Sequence, residues 1–155
     1  MLKPGAKAPH FTLTDDAGRP HNLPSLTERG PLLLYFYPAD FAPGCVRQAC
    51  MLREHHAELT AAGITLAGIS PQGAISHARL RDKHDLPFIL LTDPTKTVIK
   101  AYHADGPLGI GVRRVTYLIS EDRHILDALR ADFNIDKHRE FVDRVLARHA
   151  APAET

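Results

Sequence analysis

The stretch LLLYFYPADFAPGC, residues 32–45, decides the fold class of this chain. It opens with a run of aliphatic and aromatic residues that stops at Pro38, which is the pattern of a strand buried on both faces of a sheet. A short loop follows, after which Pro43 can occupy the first turn of a helix that lasts until Gly63. The apolar positions of that helix have helical spacing, at Val46, Ala49, Leu52 and Leu59. The sequence therefore predicts a central strand, a tight loop and a long helix.

The middle of the chain predicts further alternation of strands and helices. Residues 64–70 and 87–93 are β-like runs joined through a helical segment, so we expect a parallel crossover between them. Ser70 and Pro71 are the predicted cap of this helix, whose apolar positions are Ile75, Ala78 and Leu80. A short helix is expected at residues 95–102.

Antiparallel pairs are expected toward both ends of the chain. Runs 113–119 and 124–130 are separated by a connection of hairpin length, and residues 10–23 predict a small N-terminal β-hairpin extension. The last helix should begin near Asp136, with an apolar face made by Phe141, Val142, Val145 and Leu146. The expected fold is therefore of the α/β class, with a central mixed β-sheet flanked by helices.

The composition excludes several classes of protein. With 155 residues, of which 44% are hydrophobic, the chain can bury a core of its own, and we assign residues 3–148 to one domain and 149–155 to a disordered tail. A net charge of +1 lacks the basic footprint of a nucleic-acid binder. No apolar run approaches the roughly 20 residues that span a bilayer, and no secretory signal pattern is present. We therefore expect a cytoplasmic protein without nucleic-acid or membrane partners.

Cys45 is the first candidate functional residue. It lies two residues into the predicted helix, just after a central strand, where open α/β sheets bind their ligands. The free N–H groups and dipole of a helix start favour an anion, and so the nucleophilic thiolate. Gly44 leaves space beside the sulfur, and Pro38 and Pro43 stiffen the loop that presents it. A buried, inert cysteine remains an alternative at this point.

Cys50, the second cysteine, lies five residues further along the chain. On an ideal helix this step rotates the side chain by about 500° and separates the two Cα atoms by roughly 8.6 Å. A disulfide needs a Cα separation below about 7 Å, so bonding to Cys45 would require the first helical turn to unwind. A redox cycle would therefore move the backbone.

Residues 35–50, YFYPADFAPGCVRQAC, resemble the active-site segment of peroxiredoxins, specifically the Q-type group also called bacterioferritin comigratory proteins. The family motif Pro-x-x-x-Thr/Ser-x-x-Cys falls on Pro38, Ala42 and Cys45, and the resolving cysteine falls on Cys50. Three other segments match in the same order, namely residues 5–13, 67–72 and 113–120. The similarity covers about residues 3–148.

This resemblance implies a thioredoxin-like fold and the reduction of hydrogen peroxide or organic hydroperoxides. Cys45 would attack a peroxide oxygen and become a sulfenic acid, and Cys50 would condense with it to form a disulfide. Thioredoxin or a similar dithiol would then restore both thiols. The resemblance also favours a monomer.

The family's active-site arginine falls on Arg114. It would favour the thiolate and stabilise charge on the peroxide oxygens, together with backbone N–H groups around Gly44. Arg113 is the rival, because adjacent strand residues face opposite ways. Pro38 would shield the sulfur from bulk water.

One position departs from the family pattern. Where the family has Thr or Ser, this chain has Ala42, and no hydroxyl side chain lies between Pro38 and Cys45. A hydroxyl bonded to a thiolate or peroxide is worth about 1.5–3 kcal/mol, so its loss would slow attack by roughly 10- to 150-fold. Thr116 is a candidate substitute for it. A redox sensor or binding module with weakened turnover is therefore an alternative function.

The two cysteines raise two rival hypotheses about function. A thioredoxin-like disulfide oxidoreductase would share the fold and the helix-start thiol, but its Cys-x-x-Cys motif is missing. A metal site that combined Cys45 and Cys50 with His55 and His56 would fit no common zinc spacing, and adjacent histidines point about 100° apart on a helix. We therefore predict neither a metal site nor a cofactor.

Overall fold

Aliphatic and aromatic residues fill both faces of the strand that the sequence predicts as central. The computed structural model describes residues 1–149. Its strands are β1 (Thr12–Asp15), β2 (Pro20–Asn22), β3 (Leu32–Phe36), β4 (Thr65–Ser70), β5 (Ile89–Thr92), β6 (Val115–Ile119) and β7 (Ile125–Arg130). Its α-helices are α1 (Leu23–Leu26), α2 (Pro43–Ala61), α3 (Ala74–His84), α4 (Thr97–Ala101) and α5 (Ile135–His149).

Strand β3 divides the core into two layers. Every residue of β3 is buried, and because side chains alternate along a strand, Leu32 and Phe36 pack into one layer while Leu33 and Tyr35 pack into the other. Helices α1 and α4 contribute to the first layer. Helices α2, α3 and α5 contribute to the second layer, which also contains Cys45. The predicted sheet flanked by helices is confirmed.

The seven strands form one mixed sheet in the order β2-β1-β5-β4-β3-β6-β7. Strand β4 is parallel to both β3 and β5, whereas β6 is antiparallel to both β3 and β7. The predicted parallel crossovers and the C-terminal hairpin are thus confirmed. Strand β3 is interior, but β4 occupies the middle of the sheet. The predicted N-terminal hairpin forms as β1 and β2, and it joins the sheet because β1 pairs antiparallel with β5.

Helix α3 starts later than the sequence predicts. Ser70 is the last residue of β4, and the helix is capped at Gly73 rather than by the predicted Ser70 and Pro71. In this helix Ile75 faces solvent and is 74% exposed, whereas His77 and Leu80 are buried. The predicted apolar role of Ile75 is therefore wrong.

The C-terminal prediction needs one correction. His149 is the last residue of α5 and not part of a tail, while residues 150–155 of the predicted tail lie outside the described residues. Within residues 1–149, no helix has the length and apolar character needed to cross a membrane.

Candidate active site

The thiol of Cys45 lies against the guanidinium of Arg114. Cys45 is in the first turn of α2 and is 2% exposed, and Nη2 of Arg114 donates to its Sγ at 3.3 Å. The sheet brings the two residues together, because Phe36 at the end of β3 pairs with Val115 at the start of β6. The loop that leads from β3 to Cys45 therefore begins beside Arg114. Of the two candidate arginines, the structure places Arg114 and not Arg113 at the sulfur.

The guanidinium of Arg114 is held in place from several sides. Its Nη1 donates to Oε1 of Gln48 at 2.7 Å, and its Nε donates to the carbonyl oxygen of Asp132 at 3.2 Å. The backbone N–H of Arg114 donates to Oδ1 of Asp132 at 3.0 Å. A Cβ atom on Gly44 would lie 3.2 Å from Nη2, so the missing side chain at Gly44 gives the guanidinium its space. Arg113 instead makes a partly exposed ion pair with Asp132.

Gln48 and Asp132 belong to the site although the sequence patterns do not identify them. Gln48 follows Cys45 by three residues on α2, a spacing that puts both side chains on one face of the helix and is the one signal that points to it. Its Nε2 is buried and has no hydrogen-bond partner among the described residues. Asp132 follows β7, and no local sequence signal connects it with Cys45.

Ala42 is the N-cap of α2, with φ −63° and ψ 139°, and it makes no side-chain capping bond. A Thr or Ser hydroxyl at this position would be able to accept the N–H of Cys45, which is the third residue of the helix. The suggested substitute, Thr116, does not play that part, because its Oγ1 is bonded to Nδ1 of His138 at 2.9 Å. Thr116 therefore does not replace the hydroxyl that is missing at Ala42.

His138 is neutral in this arrangement. Its Nε2 donates to the carbonyl oxygen of Ala131 at 2.9 Å, which leaves Nδ1 to accept from Thr116. Burial lowers the pKa of His138, and the positive charge of Arg114 lowers it further. Both effects favour the neutral form of the His138 imidazole.

A cleft of about 580 Å³ leads to the site. Its lining includes four of the predicted site residues: Pro38, Ala42, Gly44 and Arg114. Cys45 follows Gly44 and contacts Arg114, so this cleft is the approach to the thiol. Phe133, which is 97% exposed, also lines the cleft and gives its rim an apolar character.

Cys50 lies on a different face of α2 from Cys45, as the sequence predicts. Both cysteines are free, and Sγ of Cys50 is 3.8 Å from Nδ1 of His84, the last residue of α3. A bond between the two cysteines would break the continuous helix that runs from Pro43 to Ala61.

The histidines of the alternative metal site have other contacts. Nδ1 of His55 bonds to the carbonyl oxygen of Met51 at 2.8 Å, and Nε2 bonds to Asp143 at 3.2 Å. The part of the chain that the structure describes contains no group of three or more His, Cys, Asp or Glu side chains arranged to hold a metal ion.

Comparisons of the sequence with a family model and with individual proteins agree on one family. Residues 4–128 match the model of the AhpC/TSA family. The chain is 35% identical over 143 residues to a Coxiella burnetii protein that carries the name peroxiredoxin bcp, an alignment that covers 88% of this chain and 93% of that protein. It is 36% identical over 135 residues to the chloroplastic peroxiredoxin Q of Sedum lineare, with 86% and 72% covered.

Solved structures agree with the sequence comparison. Peroxidoxin BcpB from Mycobacterium tuberculosis superposes with a TM-score of 0.89 at 30% identity, which covers 97% of this chain and 100% of that one. A Cys-to-Ser variant of the Xylella fastidiosa PrxQ superposes with a TM-score of 0.88 at 25% identity, with 97% and 99% covered. The chain therefore belongs to the AhpC/TSA family and is a thiol peroxidase of the Q-type peroxiredoxin group.

Proposed function

We propose that Cys45 is the peroxidatic thiol of this peroxiredoxin, that Cys50 is its resolving thiol, and that a thioredoxin-like dithiol recycles it. The observation that carries the proposal is a 3.3 Å contact. It joins the buried sulfur of Cys45, at the start of α2, to the guanidinium of Arg114. A cation and the positive end of a helix both stabilise a thiolate. The predicted monomer and cytoplasmic location remain part of this proposal.

In the first step, the Cys45 thiolate attacks the terminal oxygen of a hydroperoxide. A sulfur–oxygen bond forms, the oxygen–oxygen bond breaks, and the leaving oxygen takes up a proton to become water or an alcohol. The sulfur is oxidised by two electrons to a sulfenic acid. Arg114 stabilises the negative charge that develops on the leaving oxygen, and Gln48 keeps the guanidinium in place. Pro38, in the wall of the cleft, limits the access of water to the thiolate.

In the second step, the Cys50 thiol attacks the sulfenic sulfur of Cys45, the disulfide forms and water leaves. Because Cys45 and Cys50 lie on different faces of α2, this step requires the start of the helix to unwind. An external dithiol then exchanges with the disulfide and regenerates both thiols.

Mass spectrometry after one equivalent of hydrogen peroxide tests this assignment. We expect the wild-type protein to lose two hydrogens, because both thiols enter one disulfide. The Cys50→Ser variant should instead gain one oxygen, or more with excess peroxide, because it has no second thiol that can condense with the sulfenic acid. Cys45→Ser serves as the matched control and should keep its original mass. A wild-type protein that gains oxygen without losing hydrogens would contradict the role of Cys50.

Recycling is tested by adding reductants to the isolated disulfide form. Thioredoxin with its reductase should restore both thiols while it consumes NADPH. A disulfide that only another dithiol protein reduces would reject thioredoxin as the reductant and leave the role of Cys45 intact.

The Ala42→Thr substitution should increase both stability and rate. A threonine at the N-cap accepts a helix N–H and stabilises the fold by about 1 kcal/mol. Its hydroxyl also lies in the cleft beside the thiol, so we expect the second-order rate constant with hydrogen peroxide to rise by roughly 10- to 150-fold. Denaturant unfolding and single-turnover oxidation measure the two effects.

Ala42→Val is the matched control for this change, because valine has the shape of threonine without the hydroxyl. Equal acceleration by valine would show that the hydroxyl is not responsible. An unchanged rate in Ala42→Thr would remove the reason for regarding the chain as a weakened peroxidase or sensor.

A further inference from the structure

Asp40, in the loop between β3 and α2, is a buried carboxylate outside the thiol site. It is 0% exposed and accepts hydrogen bonds from three side chains. The hydroxyl of Tyr37 donates to its Oδ1 at 2.7 Å, and that of Ser76 donates to its Oδ2 at 2.6 Å. Nδ1 of His77 lies 2.9 Å and 2.7 Å from the two carboxylate oxygens. The backbone N–H of Asp40 donates to the side chain of Gln72.

Asp40 and His77 form a buried, hydrogen-bonded pair. Burial by itself raises the pKa of Asp40, but the hydrogen bonds from His77, Ser76 and Tyr37 outweigh it and lower the pKa below its usual value. His77, also fully buried, faces an acceptor on each side, since its Nε2 lies 2.9 Å from the carbonyl oxygen of Leu91. The ring of His77 is therefore held from both sides, by the Asp40 carboxylate and by the main chain of β5.

Helix α3 thus holds the chain on both sides of Cys45. His77 holds Asp40 before the thiol, and His84 contacts Cys50 after it. The two contacts differ greatly in strength. The first is a fully buried pair with several hydrogen bonds, and breaking it would leave a buried carboxylate without its partners, whereas the second is a single contact to a weakly hydrogen-bonding thiol. When Cys45 moves toward Cys50, the Cys50 end should release and the Asp40 end should stay.

We propose that the Asp40–His77 pair is a fixed anchor, which keeps residues 39–42 on α3 in both the dithiol and the disulfide state and so returns Cys45 to Arg114 after each reduction. The inference rests on the Cys45–Cys50 disulfide of the proposed function. Asp40 and His77 are positioning residues, because they hold the loop and contact neither sulfur nor guanidinium.

Hydrogen exchange of the wild-type protein tests the anchor directly. The disulfide state is prepared with diamide, an azo oxidant that takes one hydrogen from each thiol, so the measurement does not depend on peroxide turnover. We expect the amides of residues 46–50, which begin with the bond from Val46 to Ala42, to exchange faster in the disulfide state by roughly tenfold or more, because the helix start unwinds. The amide of Asp40, which donates to Gln72, should exchange equally slowly in both states. Loss of protection of the Asp40 amide on oxidation would overturn the proposal.

The reduction potential distinguishes an anchor that holds residues 39–42 in both redox states from a contact that holds them only in the dithiol state. The anchor stabilises both redox states equally, so Asp40→Asn should leave the potential of the Cys45–Cys50 couple unchanged. It should nevertheless lower the rate of Cys45 oxidation by roughly tenfold, since the thiol is less well positioned. A shift to a more negative potential would mean that the pair is lost in the disulfide state, and it would overturn the inference.

Two further variants keep the test decisive if Asp40→Asn folds poorly. Ser76→Ala removes one donor to the carboxylate, and His77→Asn keeps an N–H near the position of Nδ1 but loses the contact of Nε2 with the carbonyl oxygen of Leu91. Both should show smaller losses of rate with an unchanged potential. His55→Asn is the matched control, because it removes a partly exposed His–Asp contact elsewhere on α2 and should change neither quantity. If the Asp40, Ser76 and His77 variants were all oxidised at the rate of the wild-type protein, the anchor would be contradicted. If the wild-type protein itself did not react with peroxide, only the proposed function would be contradicted.

Discussion

Cys45→Ser is expected to reduce hydroperoxide consumption to the uncatalysed background. A serine hydroxyl stays protonated near neutral pH, and its oxygen cannot accept a peroxide oxygen as sulfur does when it forms a sulfenic acid. Neither the helix start nor Arg114 can compensate for this difference, because both act by stabilising an anion that serine does not form. The measurement is NADPH oxidation in the presence of hydrogen peroxide, thioredoxin and thioredoxin reductase.

Two controls make the Cys45→Ser result specific. Serine is close to cysteine in size, so the buried site should stay packed, and denaturant unfolding checks that the variant is folded. Cys50→Ser should retain the first oxidation step in a single turnover. Turnover in Cys45→Ser at the wild-type level would reject Cys45 as the nucleophile.

Arg114→Ala is expected to give the second largest effect, a decrease of about 10²–10³-fold in the second-order rate of Cys45 oxidation. This range is typical when one preorganised donor to a developing negative charge is removed. The buried oxygen of Gln48 would also lose its partner, which costs about 1–3 kcal/mol of stability. Rapid mixing with peroxide, followed by an acid quench and quantification of the remaining thiols, measures this rate independently of any reductant.

Neighbouring substitutions separate the charge of Arg114 from its geometry. Arg114→Lys keeps the positive charge but loses the planar fork that contacts Gln48 and Cys45 together, so it should recover only part of the rate. Arg113→Ala is the matched control, since Arg113 pairs with Asp132 at a partly exposed position. An equal loss of rate in Arg113→Ala would mean that the two arginines cannot be distinguished by their contacts with the thiol.

Local patterns are sufficient to predict most of the elements that present the thiol. Strand β3 ends and α2 begins where Pro38 and Pro43 punctuate the chain, and both strands of the hairpin, β6 and β7, follow from their apolar runs and short connection. The predicted start of α3 is wrong, because Ser70 and Pro71 have the residue types of a helix cap although Ser70 completes β4. A cap signal is only a few residues long and does not show where a strand stops pairing.

The sequence by itself determined that Cys45 begins a helix after a buried strand and that Cys50 lies on another face of the same helix, because both follow from the spacing of residues close together in the chain. Only the tertiary structure decided which arginine reaches the thiol, since that depends on the pairing of β3 with β6. It also decided the partners of Asp40, whose contact with His77 joins residues 37 positions apart. Sheet pairing and helix packing set such distances, and a single sequence contains no local pattern that records them.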